Sequence, residues 1–359
     1  MKTNKKYILI VLLAAIALTL GACTGRRISA TGWSGITTVE DTVYFSYGSH
    51  TYALNLKNGA QQWQFPNEPI NGSEFYAAPV LADDGQQLIV AGYDSVIYSI
   101  NPANGSKNWS FTGAENRYIA APLATEVGIF APSADNTIYA LDLDGLLSWK
   151  FTTDGPLWAS PVRSVICECI YQVSMDHYLY ALNPGNGNLV WKSEDLGGPI
   201  VSRPVVSDSG LIILSTFDNE VIALNEESHD VVWRYQTSDW AWGSPVIDGE
   251  QIYVSDISGT FYTLDLETGK LLWQIQPGGG IFSAPLVKED GIYFSTDTSS
   301  LVVVSPDGVI QRNQPVEGKL YASPVAADGK ILLAPSEAEF YLIALNESGV
   351  QIWGYPPPK

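Results

Sequence analysis

The chain has 359 residues, with 38 Asp and Glu against 19 Lys and Arg and a formal net charge of −19 at pH 7. So large an acidic excess repels phosphate backbones and anionic lipid headgroups, which excludes nucleic acid as a partner and leaves proteins, glycans or cationic molecules. Three cysteines in a chain of this length exclude a disulfide scaffold, so stability has to come from burial.

Residues 1–22 have the anatomy of an export signal, with Lys2, Lys5 and Lys6 ahead of an apolar run over 7–20. That run is short of the roughly 20 apolar residues a membrane span needs. Leu20-Gly21-Ala22-Cys23 resembles a bacterial lipobox, which implies cleavage before Cys23 and acylation of its thiol and of the new amino terminus. Removing three lysines and no acid takes the formal charge from −19 to −22, so acyl chains rather than headgroup attraction are expected to hold the protein at the membrane. The expected organisation is a signal over 1–22, a lipid-anchored linker over 23–31, one repeat domain over 32–355 and a tail over 356–359.

From residue 33 onward the chain repeats. Trp63, Trp109, Trp149, Trp191, Trp233, Trp273 and Trp353 are separated by 46, 40, 42, 42, 40 and 80 residues. The last interval is a double step, and Arg312 follows Asp307-Gly308 as Trp149 follows Asp144-Gly145, so it stands where an eighth tryptophan is missing. A second ruler of small residues before proline runs through Ala78-Pro79, Ala121-Pro122, Ser160-Pro161, Ser244-Pro245, Ala284-Pro285 and Ser323-Pro324, with Arg203-Pro204 as the exception and Ser34-Gly35-Ile36 as a degenerate first copy. Between the rulers lie alternating segments such as Ile138-Tyr139-Ala140-Leu141 and Phe261-Tyr262-Thr263-Leu264, the period of half-buried strands. Asn58-Gly59, Asn104-Gly105, Asp144-Gly145, Asn186-Gly187, Thr268-Gly269 and Ser348-Gly349 supply turn residues that tolerate positive φ just before the tryptophan strand. Each repeat of about 40 residues therefore reads as four short strands. Eight such units without a helical period predict an all-β protein, a single eight-bladed β-propeller of four-stranded antiparallel blades, monomeric, whose radial repetition protects its edges. An open solenoid is disfavoured because its coils are shorter. A strand exchanged between the termini is compatible with this count but not required by it.

The repeat unit, best seen from Ser244 to Trp273, resembles the PQQ-like, quinoprotein dehydrogenase-type propeller repeat over about residues 33–355. The resemblance implies that each tryptophan docks against a neighbouring blade, with the glycine four residues earlier leaving room. His229 in the fifth blade and Arg312 in the seventh depart from that pattern. The family holds both quinone-dependent dehydrogenases and non-catalytic, lipid-anchored members of envelope protein assembly. The lipobox and near-minimal blades resemble the second kind.

A quinone dehydrogenase would need calcium held by carboxylate and amide oxygens, a carboxylate base, and in many members a disulfide between adjacent cysteines. The sequence presents no such constellation, so no cofactor, metal or catalytic residue is expected. Cys167 and Cys169 are separated by Glu168, and as thiols they would be candidates for metal or redox chemistry, with a structural role expected instead. His50, His177 and His229 fall in three different turns, which argues against a zinc site or a His-based triad. Asp94, Asp135, Asp176, Asp218, Asp256 and Asp297 recur between the second and third strands, as turn formation requires.

The remaining functional signal is aromatic. Trp33, Tyr76, Ile119, Trp158, Val201, Trp242, Phe282 and Tyr321 hold equivalent positions at the start of each innermost strand, with Arg117, Arg203, Asp239, Trp240 and Lys319 nearby. In a ring they would meet at one mouth, as a plug or as a binding face. The expected function is a protein-binding scaffold of the cell envelope, the alternatives being a PQQ-dependent dehydrogenase and a surface receptor for glycan or peptide.

Overall fold

A computed structural model describes residues 35–70 and 72–356. Each blade is four consecutive antiparallel strands, and the eight sheets run over 36–65, 80–111, 123–152, 162–192, 205–236, 246–275, 286–315 and 325–355. No helix occurs among the described residues. Blade 6 shows the unit: Val246–Asp248 innermost, then Gln251–Ser255, Phe261–Asp265 and Leu271–Ile275 at the rim. The proline immediately precedes the inner strand in blades 2 to 8. There its missing N–H is no loss to the ladder.

The eight blades form a closed β-propeller, and their core is distributed to match. Eight clusters of buried residues each combine two adjacent blades, for example Phe261 of blade 6 with Phe294 of blade 7, their rings 4.4 Å apart and stacked. Both middle strands of every blade are therefore buried on two faces, which explains their near-continuous apolar runs. The ring closes through blades 8 and 1, where Leu332, Leu342 and Ala344 pack with Val43, Phe45 and Leu54. Every described sheet uses strands consecutive in the chain, so among the described residues no strand is exchanged between the ends of the ring.

The tryptophan ruler becomes a set of blade junctions. Trp63, Trp149, Trp273 and Trp353 donate Nε1–H to the carbonyls of Pro102, Pro184, Pro306 and Leu56, each in the turn of the next blade, at 2.8–3.0 Å. The glycine that leaves room belongs to that next turn: a Cβ on Gly105 would sit 2.8 Å from Trp63, and one on Gly59 would sit 2.6 Å from Trp353. This corrects the expectation that each indole uses the glycine four residues before it. Trp191 instead stacks on the His229 ring, centroids 4.2 Å apart, so the fifth blade replaces a glycine by a second aromatic plane.

A register shift at equivalent places in all eight outer strand pairs sets each tryptophan opposite a small residue, as in Ala53↔Trp63, Ser99↔Trp109 and Ala344↔Trp353. Such bulges re-aim a side chain, here the indole toward the neighbouring blade. Cys167 and Cys169 form a disulfide within the connection between the first two strands of blade 4. The two sulfurs thus hold a tight loop together rather than standing as free thiols. That loop is also anchored from blade 5, where the buried Glu226 carboxylate accepts from Val165 N at 3.1 Å and Tyr171 Oη at 2.9 Å.

Candidate functional site

The innermost strands converge on the ring axis, and the residue before each inner proline, with Gly35 before Ile36 as its equivalent in blade 1, forms one layer there: Gly35, Ala78, Ala121, Ser160, Arg203, Ser244, Ala284 and Ser323. Seven of these are small because eight strands approach one another closely. A Cβ on Gly35 would collide with the Ala78 backbone. The layer encloses an axial cavity of about 320 Å³, whose other walls are Ile119, Trp158, Val201, Trp242, Phe282 and Tyr321. A second cavity of about 600 Å³ shares Arg203, Ser244 and Ala284 with it and is otherwise mostly aliphatic, including Val165, Val205, Val246 and Ile247.

The structure thus brings together Trp158, Trp242, Phe282, Tyr321 and Arg203 of the sequence-derived mouth. Phe282 and Tyr321 meet edge to face at 5.6 Å. Trp33 and Cys23 lie outside the described residues. Tyr76 does not line the cavity: it is buried, packs edge to face on Tyr93 at 4.7 Å and donates its hydroxyl to Glu74 at 3.0 Å. Burial, reinforced by the Glu74 charge, pushes its pKa upward. Blade 2 turns this ring sideways because Glu74 and Tyr93 offer it an acceptor and a partner within its own blade.

Of the charged residues near the mouth, Arg117 lies 5.3 Å from the Tyr93 ring centroid and Lys319 pairs with Glu337 at 3.6 Å. Asp239 accepts from Trp240 N at 2.8 Å. None of them lines the axial cavity. Trp240 is 43% exposed and stacks on Phe217 at 4.8 Å and 14°, and Phe217 in turn lies 5.1 Å from Trp242. This three-ring stair leads from the solvent-facing connection to the axis. The signal for it was present as Phe217 in the turn facing Trp240-Ala241-Trp242, but only the ring geometry joins them.

The recurring aspartates do more than shape turns. Asp135 accepts from Thr137 N in its own turn, from Glu115 N in the connection entering the blade and from the Tyr139 hydroxyl at 2.9 Å. Asp176 repeats this set with Tyr178 N, Asp154 N and the Tyr180 hydroxyl. Desolvation first, then the Asp135 carboxylate, raises the pKa of Tyr139 to about 12. An aspartate four residues before a strand tyrosine was the sequence signal. The carboxylates of Asp135 and Asp176 are occupied by protein donors and sit in separate blades, and no cluster of three or more His, Cys, Asp or Glu that could hold a metal ion occurs among the described residues.

Comparison with known proteins adds the family. The family model described as outer membrane protein assembly factor BamB matches residues 47–173 and 175–280. Among curated proteins, 84 residues are 34% identical to the quinoprotein alcohol dehydrogenase PedH of Pseudomonas putida, covering 23% of this chain and 14% of that one. A further match, 25% identical over 130 residues, is to tetrathionate hydrolase of Acidithiobacillus ferrooxidans, with 29% of this chain and 26% of that one covered. The chain therefore spans only 14% and 26% of the lengths of these relatives. Among solved structures, BamB from Moraxella catarrhalis is similar with a TM-score of 0.73 at 14% identity, over 86% of this chain and 94% of that one. The computationally designed Ika8 protein reaches the same TM-score at 12% identity, over 90% and 96%. Likenesses at such low identity speak to the propeller fold, which natural and designed sequences share. The family model is more specific, and because it matches more than half of the residues, the chain belongs to the family of outer membrane protein assembly factor BamB.

Proposed function

We propose that this chain is a non-catalytic scaffold of the cell envelope, anchored through acyl chains on Cys23, that binds a protein partner in envelope protein assembly. The observation that carries the reading is the family match across 47–173 and 175–280. The axial cavity supports it, because no Asp, Glu or His is among its described lining residues. Calcium-assisted quinone chemistry needs hard oxygen ligands and a base at that place.

The recognition surface in this proposal includes the Trp240–Phe217–Trp242 stair, since an exposed aromatic over a rigid partner offers contact area at low entropic cost. The deciding experiment is crosslinking and pull-down from solubilised envelope with the wild type, Trp240→Ala and Cys23→Ser. A protein partner lost with Trp240→Ala while the thermal midpoint is kept supports the proposal, as does release of Cys23→Ser from membranes. Turnover of primary alcohols or sugars with PQQ, calcium and an artificial acceptor would replace it by a dehydrogenase. The exposed stack also favours a second reading, glycan recognition, and saturable oligosaccharide binding lost in Trp240→Ala with no protein captured would establish that instead.

A further inference from the structure

We propose that the axial cavity is a binding site for a small aromatic carboxylate, with Arg203 as its anion receptor. At the layer before the inner prolines, Arg203 is the one side chain that is neither small nor neutral, and it is the sole charged residue among the described walls of the axial cavity. Its backbone N–H donates to Ser244 Oγ at 3.1 Å, which ties the strand in place. Its guanidinium has no ion pair and no side-chain hydrogen bond among the described residues, although the chain carries twice as many acids as bases. By contrast Arg163, which lines the neighbouring cavity, reaches both Asp83 and Glu126.

Desolvation inside the ring lowers the Arg203 pKa from its ordinary value, and no nearby acid opposes that shift. The side chain nevertheless stays protonated. The side chain remains open to solvent, so the guanidinium is accessible to an arriving anion and would meet it with charge-assisted hydrogen bonds. A second donor is independently unsatisfied: Trp158 Nε1, on a wall of the same cavity, is shielded from solvent and has no partner. A planar guanidinium matches a carboxylate through two parallel hydrogen bonds. The walls on the mouth side, Trp242, Phe282 and Tyr321, suit a flat apolar body. The volume of about 320 Å³ admits a small molecule and not a folded partner.

The test is calorimetric titration of the full chain in detergent with phenylacetate, with phenylacetamide as the neutral counterpart and a glutamate-rich peptide as a third arm. Arg203→Ser inserts the residue that blades 4, 6 and 8 already carry here, so it should fold, and the thermal midpoint checks this. Arg203→Lys keeps the charge without the fork. Saturable binding of phenylacetate, at least about tenfold tighter than the amide, is expected, the difference vanishing in Arg203→Ser and shrinking in Arg203→Lys. Equal affinity for acid and amide, undiminished binding in Arg203→Ser, no saturable phenylacetate binding, or binding of the peptide alone would each overturn the proposal. The outcome is separate from that of the pull-down, since this site does not depend on a protein partner.

Discussion

The junction between blades 6 and 7 and the junction between blades 7 and 8 meet the same packing demand with different side chains. At the first, Trp273 lies over Gly308 and donates to Pro306 O at 2.8 Å. At the second, Arg312 reaches the equivalent turn, and its Nη1 donates to Glu347 O at the same 2.8 Å. The hydrogen bond survives and the indole does not. Gln314 occupies the space over Gly349 instead, a cavity of about 140 Å³ lies beside it against Phe340, Ile343 and Leu345, and Arg312 Nε is buried without a partner. Both turn carbonyls lie at the exposed rim, so the bond contributes about 0.5–1.5 kcal/mol at either junction, and what the second gives up is apolar area. The repeat thus loses its marker here while a long donor keeps the bond to the neighbouring turn.

The largest test of that contrast lies at the ring closure. Trp353 is 8% exposed and bonds Leu56 O across 297 residues of chain. Trp353→Ala should lower the unfolding free energy by about 3–5 kcal/mol in urea titration, as truncation of a buried aromatic does. Arg312→Ala should cost only ~0.5–1.5 kcal/mol, the net contribution of a hydrogen bond whose exposed acceptor water can satisfy instead. Equal losses would mean that area at the junctions is irrelevant. Trp149 and Trp273 are only half-buried, so their truncations should fall between these two.

Adding a methyl group separates the junctions next. At Gly269 (φ 65°) a Cβ would meet the Trp233 ring at 2.5 Å, while at Gly349 (φ 86°) it meets the movable end of Gln314. Both alanine variants carry left-handed strain of about 1–2 kcal/mol, and Gly269→Ala adds overpacking of about 1–3 kcal/mol. Matching thermal midpoints for the two would remove the distinction.

Restoring the marker should have a smaller and opposite effect. Arg312→Trp combined with Gln314→Ile, the pair found as Trp273 and Ile275 in blade 6, is expected to stabilise by ~1 kcal/mol by filling the space beside Gly349. A loss of stability would show that the blade 7–8 spacing is set for arginine. Smallest of all is the ion pair that also spans this junction, Lys288 with Glu347 at 3.1 Å. Glu347 is largely exposed, so Lys288→Met should change stability by about 0–1 kcal/mol and lose even that in high salt.

Much of the molecule was legible from residues 33–355 because each repeat states its structure locally. Gly-containing turns, alternating strands and tryptophans a fixed distance apart are short-range signals, and Arg312 was identified as the missing marker by the double interval and the Asp307-Gly308 turn before it. The candidate site was legible in part. Equivalent positions before the prolines could be aligned, which located Trp158, Trp242, Phe282 and Tyr321 on one layer. Alignment could not show that Tyr76 turns away to Glu74 and Tyr93, because rotamer choice depends on the acceptor and ring that happen to lie beside it. The disulfide between Cys167 and Cys169 was likewise invisible, since the same spacing suits two thiols or one bond.

The sequence by itself determined the number of blades, the order of strands and the residues that punctuate them, all of which follow from turn chemistry and period within about 40 residues. Only the tertiary structure decided which turn receives which indole, why the residue opposite each indole is small, and that Arg203 faces the axis without a carboxylate. Those facts rest on neighbours brought together by closing a ring, such as Trp353 and Leu56, and no local pattern carries the identity of a residue 297 positions away.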